Sequence, residues 1–384
     1  MKYKIPLFKI SNSKQDIKEV SKVISSGKGW AAGDSIIKFE NEIKKFNKTK
    51  FAVSFNSGTS ALIAMYIACN LKNKEIIVPS FSFISTASAV LISGAKLKFC
   101  DIESDTYGLN FTDLKKTITK KTKAVVLMHY SGCPARDTIK IKNLCNKNKI
   151  ILLEDNAHSY GAKLNKKLTG TFGKASAMSF CQNKLISTGE GGAVVTNDKV
   201  IYEKLKRIRS HGRIESNKDD YFNSTKEFNY FDIGYNFRMP TMNAALGFSQ
   251  LKYQYKNNII KRIKIAKKFD QILSKCKHIN LPKKFKNSDH FFQQYTIRIN
   301  NGSSLLRNNL QKNLERAGII SRVYYEPIHL KTYFKKKYNK INLGNTKKIS
   351  NTILTLPIYP DMKYNEINYI AKKIILFFKD KDVS

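Results

Sequence analysis

A chain of 384 residues, 42% of them hydrophobic and 26% charged, has the makeup of a globular protein with room for one large core and a smaller one, which excludes a disordered chain. Its formal charge is +40, but the lysines are scattered through every segment, as in "NKNK" (146–149), "FKKKYNK" (334–340) and "KDKD" (379–382). They do not form the basic stripe interleaved with aromatics that backbone recognition favours, so specific nucleic-acid binding is not expected, although a positive field would help capture an anionic substrate.

In chain order, "TSALIAMYIACNL" (59–71) reads as a helix, "EIIVPS" (75–80) as a strand, "FISTASAVLISG" (83–94) as a helix and "KLKFCDI" (96–102) as a strand. The strand "KAVVLMHY" (123–130), the helix "DTIKIKNLCNKN" (137–148) and the strands "IILLEDN" (150–156) and "GAVVTN" (192–197) continue the alternation. Several of these strands are apolar almost throughout, as expected where both faces are covered. The pattern predicts an α/β fold with a mainly parallel sheet, whose ligands sit beyond the carboxyl ends of the strands. From about residue 250 the texture changes. "FSQLKYQYKNNIIKRIKIAKKFDQILSKC" (248–276) predicts one long helix linking two domains. A strand "QQYTIRI" (293–299), a helix "SSLLRNNLQKNLERAG" (303–318) and the stretch "IISRVYYEPIHL" (319–330) follow it. The expected division is a large α/β domain over 1–250 and a smaller α+β domain over 251–384, with an N-terminal segment able to pack on the smaller one. No internal repeat or low-complexity linker is visible.

The six cysteines have neither CxxC nor zinc-ligand spacing, which predicts free thiols in a reducing compartment and no metal site. "MKYKIPLFKI" lacks an uninterrupted apolar segment, so no signal peptide is expected, and no stretch reaches the roughly 18 apolar residues of a membrane span. A soluble, cytoplasmic protein without membrane insertion is the expectation.

Four stretches bear on chemistry. "SFNSGTSALIA" (54–64) places Gly58, Thr59 and Ser60 at a helix N-terminus, a good phosphate site, although for Ser and Thr alone an ordinary N-cap is the better reading. "IILLEDNAHSYGA" (150–162) ends an apolar strand with Glu154 and Asp155; a buried carboxylate there needs a partner, either a pyridinium nitrogen or an internal cap or ion pair. "GTFGKAS" (170–176) tempts a P-loop reading and fails it, because Leu168 stands where the first glycine is needed and Ala175 follows the lysine. "SFCQNKLISTGEGGAV" (179–194) carries a single Lys184 between a strand end and a glycine-rich turn. That lysine could hold a phosphate, form a Schiff base with a carbonyl cofactor, or be a solvated surface residue. Ser179, five residues earlier, can face the same pocket. A desolvated lysine has a lowered pKa and becomes an amine nucleophile. Phosphate, pyridinium and aldehyde held at three corners of one site match pyridoxal phosphate.

The ordered motifs resemble the DegT/DnrJ/EryC1/StrS family of pyridoxal-phosphate-dependent nucleotide-sugar aminotransferases, of fold type I. They are "SGKGWAAGDSIIKFE" (26–40), "NSGTSAL" (56–62), "VPSFSFISTASAV" (78–90), "EDNAHSYGA" (154–162), "SFCQNKLISTGEGG" (179–192), "GYNFRMPTMNAALG" (234–247) and "YYEPIHL" (324–330). The resemblance implies that Lys184 condenses with the cofactor aldehyde and that Asp155 pairs with the pyridine nitrogen. Phe83 and Ala157 would cover the two ring faces, and His158 would lie near the phenolic oxygen. Gly58, Thr59 and Ser179 would contact the phosphate. Asn236 would reach it from a partner subunit, which implies a homodimer with shared active sites. Trp30, Arg238, Tyr324 and His329 are substrate-side candidates.

A dehydratase branch of the family replaces the lysine with histidine, so Lys184 favours transamination, with pyridoxamine phosphate as the intermediate cofactor form. The implied substrates are L-glutamate and a nucleotide-linked keto-6-deoxysugar, 4-keto first and 3-keto second, for amino-sugar or surface-polysaccharide synthesis. A non-nucleotide ketone such as an inosose, or a regulatory role on the same fold, are the alternatives. Substrate choice would lie in residues 29–33, 209–228 and 324–330.

Overall fold

The central sheet of the computed structural model, which describes residues 4–214, 227–338 and 340–382, has seven strands. In chain order the strands of the protein are β1 (Phe51–Phe55), β2 (Glu75–Pro79), β3 (Lys96–Cys100), β4 (Thr122–Met128), β5 (Ile151–Asp155), the short pair β6 (Lys163–Leu164) and β7 (Lys167–Leu168), β8 (Ala175–Ser179) and β9 (Gly192–Thr196). The large sheet runs β1-β9-β8-β5-β4-β2-β3. Its pairs are parallel except those of β9, which is antiparallel to both β1 and β8. This is the mainly parallel α/β sheet that the alternation predicts.

The apolar runs explain why both faces are covered. Side chains alternate across a strand. Ile76, Val78, Ala124, Val126 and Leu153 enter one core. Their neighbours Ile77, Val125, Leu127 and Leu152 enter another on the opposite face. The helix α3 (Gly58–Ala68) is buried along almost its whole length and fills the first core. It follows α1 (Lys14–Ser25) and α2 (Asp34–Asn47). Next come α4 (Ser85–Ile92), α5 (Phe111–Thr117), α6 (Thr138–Lys147) and α7 (Lys199–Arg209). Ile141 and Cys145 of α6 pack on the second face.

The expected helix over 248–276 begins earlier and is interrupted. It consists of α8 (Thr241–Ser249), one π-helical turn (Gln250–Gln254) and α9 (Tyr255–Leu273). Pro240 caps the earlier start, and the hydroxyl of Thr241 donates to the carbonyl of Gly29 at 2.6 Å. At the π turn the Gln250 side chain accepts the Ser187 N–H at 2.8 Å, the kind of local demand that accompanies such a turn.

A second set of elements follows: β10 (Ile279–Asn280), β11 (Ser288–Asp289), β12 (Tyr295–Ile299), α10 (Ser304–Arg316), α11 (Thr332–Tyr338), α12 (Gly344–Thr352), β13 (Ile353–Leu356) and α13 (Tyr364–Asp382). A core of its own joins α9, α10, α13 and the β10-β12-β13 sheet, and Ile5 contributes to it. Ile5 forms a parallel bridge with Ile319. Ile328, Phe334, Tyr338 and Leu343 instead join the core of the large sheet, and the Tyr338 hydroxyl donates to the carbonyl of Leu97 on β3 at 3.2 Å. None of the six cysteines forms a disulfide among the described residues. Among the described residues no helix is long and apolar enough to cross a membrane, and no cluster of metal-ligand side chains occurs.

The glycine-rich turn rejected as a P-loop has an internal use. The N–H groups of Gly170, Phe172 and Gly173 donate to the carboxylate of Glu154 at 2.7, 2.6 and 2.7 Å. His129 Nε2 lies 3.0 Å from the same carboxylate. Its Nδ1 accepts the Ala135 N–H at 3.0 Å, so the ring proton sits on Nε2 and donates to Glu154. Glu154 is thus the anion this turn holds, and it clamps the end of β5 one residue before Asp155. Glu154→Gln keeps one acceptor oxygen and turns an amide N–H₂ toward the remaining donors. The variant should lose about 2–3 kcal/mol of stability, read as a lower urea midpoint at unchanged slope. A midpoint equal to wild type would remove the clamp from the account of the fold.

Candidate active site

A cavity of about 310 Å³ opens beyond the carboxyl ends of the parallel strands. Asp155 ends β5, Ser179 ends β8, and the Ser57–Thr59 turn follows β1 by two residues; all line the cavity. Lys184, Ala157, His158, Phe83 and Tyr324 line it too. A larger groove of about 1060 Å³, lined by α9, the β6–β7 hairpin and several lysines, holds none of the residues singled out above.

The phosphate corner is built by close approach. Ser57 caps α3, its hydroxyl accepting the Ser60 N–H at 3.0 Å. A Cβ on Gly58 would meet Ser179 Cβ at 2.8 Å, and one on Gly192 would meet the Ser57 carbonyl oxygen at 2.4 Å. Only glycine lets this turn lie directly on the ends of β8 and β9. The turn presents α3's positive end with the hydroxyls of Thr59, Ser85 and Ser179 around it; Thr59 Oγ1 and Ser85 Oγ are 2.8 Å apart.

At the opposite corner Asp155 is buried. Its Oδ2 accepts from Thr86 Oγ1 at 2.6 Å and its Oδ1 from the Ala157 N–H at 3.1 Å. Burial raises its pKa above the usual carboxylate range, against the pull of those two donors and of Lys184 and His129. A cationic or N–H partner in the cavity would relieve that penalty. Lys184 is half-buried, and among the described residues its amine makes no hydrogen bond or ion pair. Desolvation lowers its pKa to about 8, with Cys181, Asp155 and Glu190 opposing the shift. About a tenth of its amine is therefore neutral and nucleophilic at pH 7, against well under a thousandth for an ordinary lysine.

Not every candidate reaches the cavity. Ser60 is buried, its hydroxyl donating to Asn56 Oδ1 at 2.7 Å, so its side chain braces the turn from behind. His329 is a core residue: its Nδ1 lies 2.7 Å from Ser80 Oγ, and burial lowers its pKa to about 4. The Trp30 indole N–H donates to the Val23 carbonyl at 3.2 Å, and the Arg238 guanidinium to Ser210 Oγ at 3.1 Å. Neither lines the cavity. Asn236 is exposed; its carbonyl accepts from Asn56 Nδ2 at 3.4 Å, so its loop abuts the phosphate turn of its own chain through the backbone. Residues 215–226 of the expected specificity stretch 209–228 lie outside the described residues. Ser57, Ser85, Thr86 and Tyr325 line the cavity without having been singled out. The signals for three of them were a serine ahead of a glycine at a helix start and a Ser-Thr pair just after Phe83. Tyr325 had only its adjacency to Tyr324.

Residues 11–375 match the DegT/DnrJ/EryC1/StrS aminotransferase family. The chain belongs to this family. It is 30% identical over 382 residues to the GDP-perosamine synthase of Escherichia coli O157:H7, covering 99% of this chain and 100% of that one. It is 31% identical over 372 residues to the UDP-4-amino-4,6-dideoxy-N-acetyl-beta-L-altrosamine transaminase of Helicobacter pylori, covering 95% and 96%. Among solved structures, Helicobacter pylori PseC, an aminotransferase involved in the biosynthesis of pseudoaminic acid, superposes with a TM-score of 0.91 at 29% identity over 98% of this chain and 99% of that one. As a member of the DegT/DnrJ/EryC1/StrS family the protein is a transaminase, and its fold is that of the fold type I pyridoxal-phosphate enzymes.

Proposed function

We propose that the protein moves an amino group from L-glutamate to a nucleotide-linked 4-keto-6-deoxysugar, using pyridoxal phosphate. One observation carries the reading: a desolvated lysine, a buried carboxylate and a helix N-terminus rich in hydroxyls line a single cavity. These residues fit the cofactor's aldehyde, pyridine nitrogen and phosphate, and Phe83 and Ala157 in the wall fit its ring. When bound, the cofactor supplies an electron sink for the carbanion at the reacting carbon. Asp155 holds a proton on the ring nitrogen. Lys184 Nζ takes the Cα proton of the amino donor and later returns one to the carbonyl carbon of the acceptor, as general base and then acid. The nucleotide is supported by the names of both relatives, one GDP-linked and one UDP-linked, and by a net charge of +40 that suits a diphosphate. Release of 2-oxoglutarate from L-glutamate should depend on a nucleotide-linked keto-sugar. Turnover with an inosose and none with any such sugar would replace this substrate class.

A homodimer completes the proposal, with Asn236 reaching the partner's phosphate corner; its exposure leaves it free to do so. A charge-assisted phosphate hydrogen bond is worth roughly 1.5–3 kcal/mol. Asn236→Ala should therefore stay folded but retain pyridoxal phosphate about tenfold to a hundredfold less tightly, measured by dialysis. Mixed with Lys184→Ala under demonstrated subunit exchange, it should regain part of the activity, because one site of the heterodimer carries both lesions and the other neither. No recovery would refute the shared site.

A further inference from the structure

Two side chains in the cavity wall hydrogen-bond to each other and to no other described residue. Tyr325 Oη lies 2.7 Å from His158 Nε2, and His158 Nδ1 has no partner. Both residues are at least nine-tenths buried: His158 is 4% exposed and Tyr325 9%. Neighbouring rings hold the phenol in place, with Tyr324 at 5.2 Å, Phe81 and Phe83 at 6.2 Å and Tyr130 at 6.3 Å. Tyr130 cannot substitute for it, because its own hydroxyl donates to the Tyr324 carbonyl.

The pair is neutral. Burial and then Lys184 hold the imidazole well below its usual range. Burial holds the Tyr325 phenol well above its own, reinforced by Tyr130, Tyr324 and Asp155. Two proton arrangements remain. If Nε2–H donated to the phenol, the phenol's own proton would lack an acceptor and Nδ1 would lack a donor. If the phenol donates to Nε2, only an Nδ1–H is left unmet. Buried polar groups are overwhelmingly paired, so the arrangement with fewer orphans prevails.

We infer that Tyr325 is a positioning residue: its hydroxyl donates to His158 Nε2 and fixes the imidazole with its proton on Nδ1, the one ring nitrogen left to a ligand. The wall then presents a donor, which suits an anionic oxygen. The identity of that oxygen, the aryl oxygen of pyridoxal phosphate, rests on the proposed cofactor. A donor favours the ionised form of that oxygen. Removing Tyr325's control weakens the donor, and the proton near that oxygen is held to higher pH.

Nitrogen-15 histidine spectra of the full-length chain, without added cofactor, test the tautomer directly. His158→Asn assigns the resonance among the six histidines. Wild type should carry the proton on Nδ1. In Tyr325→Phe, which keeps the ring, the ratio of Nε2–H to Nδ1–H should rise by about tenfold or more. In the enzyme loaded with pyridoxal phosphate, Tyr325→Phe should move the pH midpoint of the visible absorption band up by about one pH unit, a change that a purely structural role would not make. A wild-type proton on Nε2, or a ratio or midpoint unmoved in Tyr325→Phe, overturns the inference. If added pyridoxal phosphate gives no visible band at all, the cofactor reading fails instead, and the nitrogen spectra still decide the tautomer.

Discussion

Lys184→Ala should lose transamination by about a thousandfold or more while keeping its fold. The residue is asked to do two things. Under the proposed function it presents a neutral amine to a carbonyl, and it moves a proton between reacting carbons. Proton transfer by a positioned group is worth roughly a hundredfold to ten-thousandfold by itself, and loss of the nucleophile adds to that. Stability should change little, because the lysine is half-buried and its amine bonds to nothing among the described residues. Its backbone N–H donates to the Cys181 carbonyl at 2.9 Å, which alanine preserves. Wild-type protein loaded with pyridoxal phosphate should be yellow, and borohydride should fix the label on the peptide carrying Lys184, whereas the variant should take none. Label on a different lysine, or near-normal turnover by Lys184→Ala, would falsify the assignment.

Asp155→Asn should lower turnover by about two to three orders of magnitude and yet leave the cofactor-free protein at least as stable as wild type at neutral pH. The carboxyl is close to 3.8 when unfolded, and burial raises it in the fold. Folding therefore takes up a proton between the two values. The stability Asp155 contributes is present below 3.8 and is lost as pH rises through the folded value, so above that value the ionised group is a cost. An amide removes that cost and can still bond to Thr86 Oγ1 and the Ala157 N–H. It cannot hold a proton on a pyridine nitrogen. Thermal unfolding of the two cofactor-free proteins between pH 4 and 8 should show wild type losing ground to the variant as pH rises. A parallel pair of curves, or a variant less stable throughout, would mean that Asp155 serves the fold rather than a ligand.

The chain's local patterns carried a good deal of this. Short, β-branched apolar runs such as Ile76–Val78 and Val125–Leu127 suit strands covered on both faces, because consecutive side chains of a strand point to opposite sides. That determined the sheet, and with it the end where a ligand sits. Lys184 beside glycines, Asp155 at a strand end and Gly58 at a helix start were legible because each breaks the pattern of its own segment. What stayed hidden depends on partners distant in sequence. Glu154 and Asp155 are adjacent acids with the same local signal, yet β5 turns one toward the Gly170–Gly173 turn and the other into the cavity. His329 and His158 are equally plausible in the sequence. Ser80, 249 residues away, binds the first in the core, while Tyr325, 167 residues away, holds the second in the cavity wall. Ser60 stands beside Thr59 at the same helix start, but one step along a helix rotates a side chain by about 100°, enough to turn Ser60 from the cavity toward Asn56. Sequence determined which residues could do chemistry, because side-chain type and local periodicity are properties of a segment. Only the tertiary structure decided which of them share a cavity, because burial and hydrogen-bond partners are set by whatever the folded chain brings alongside.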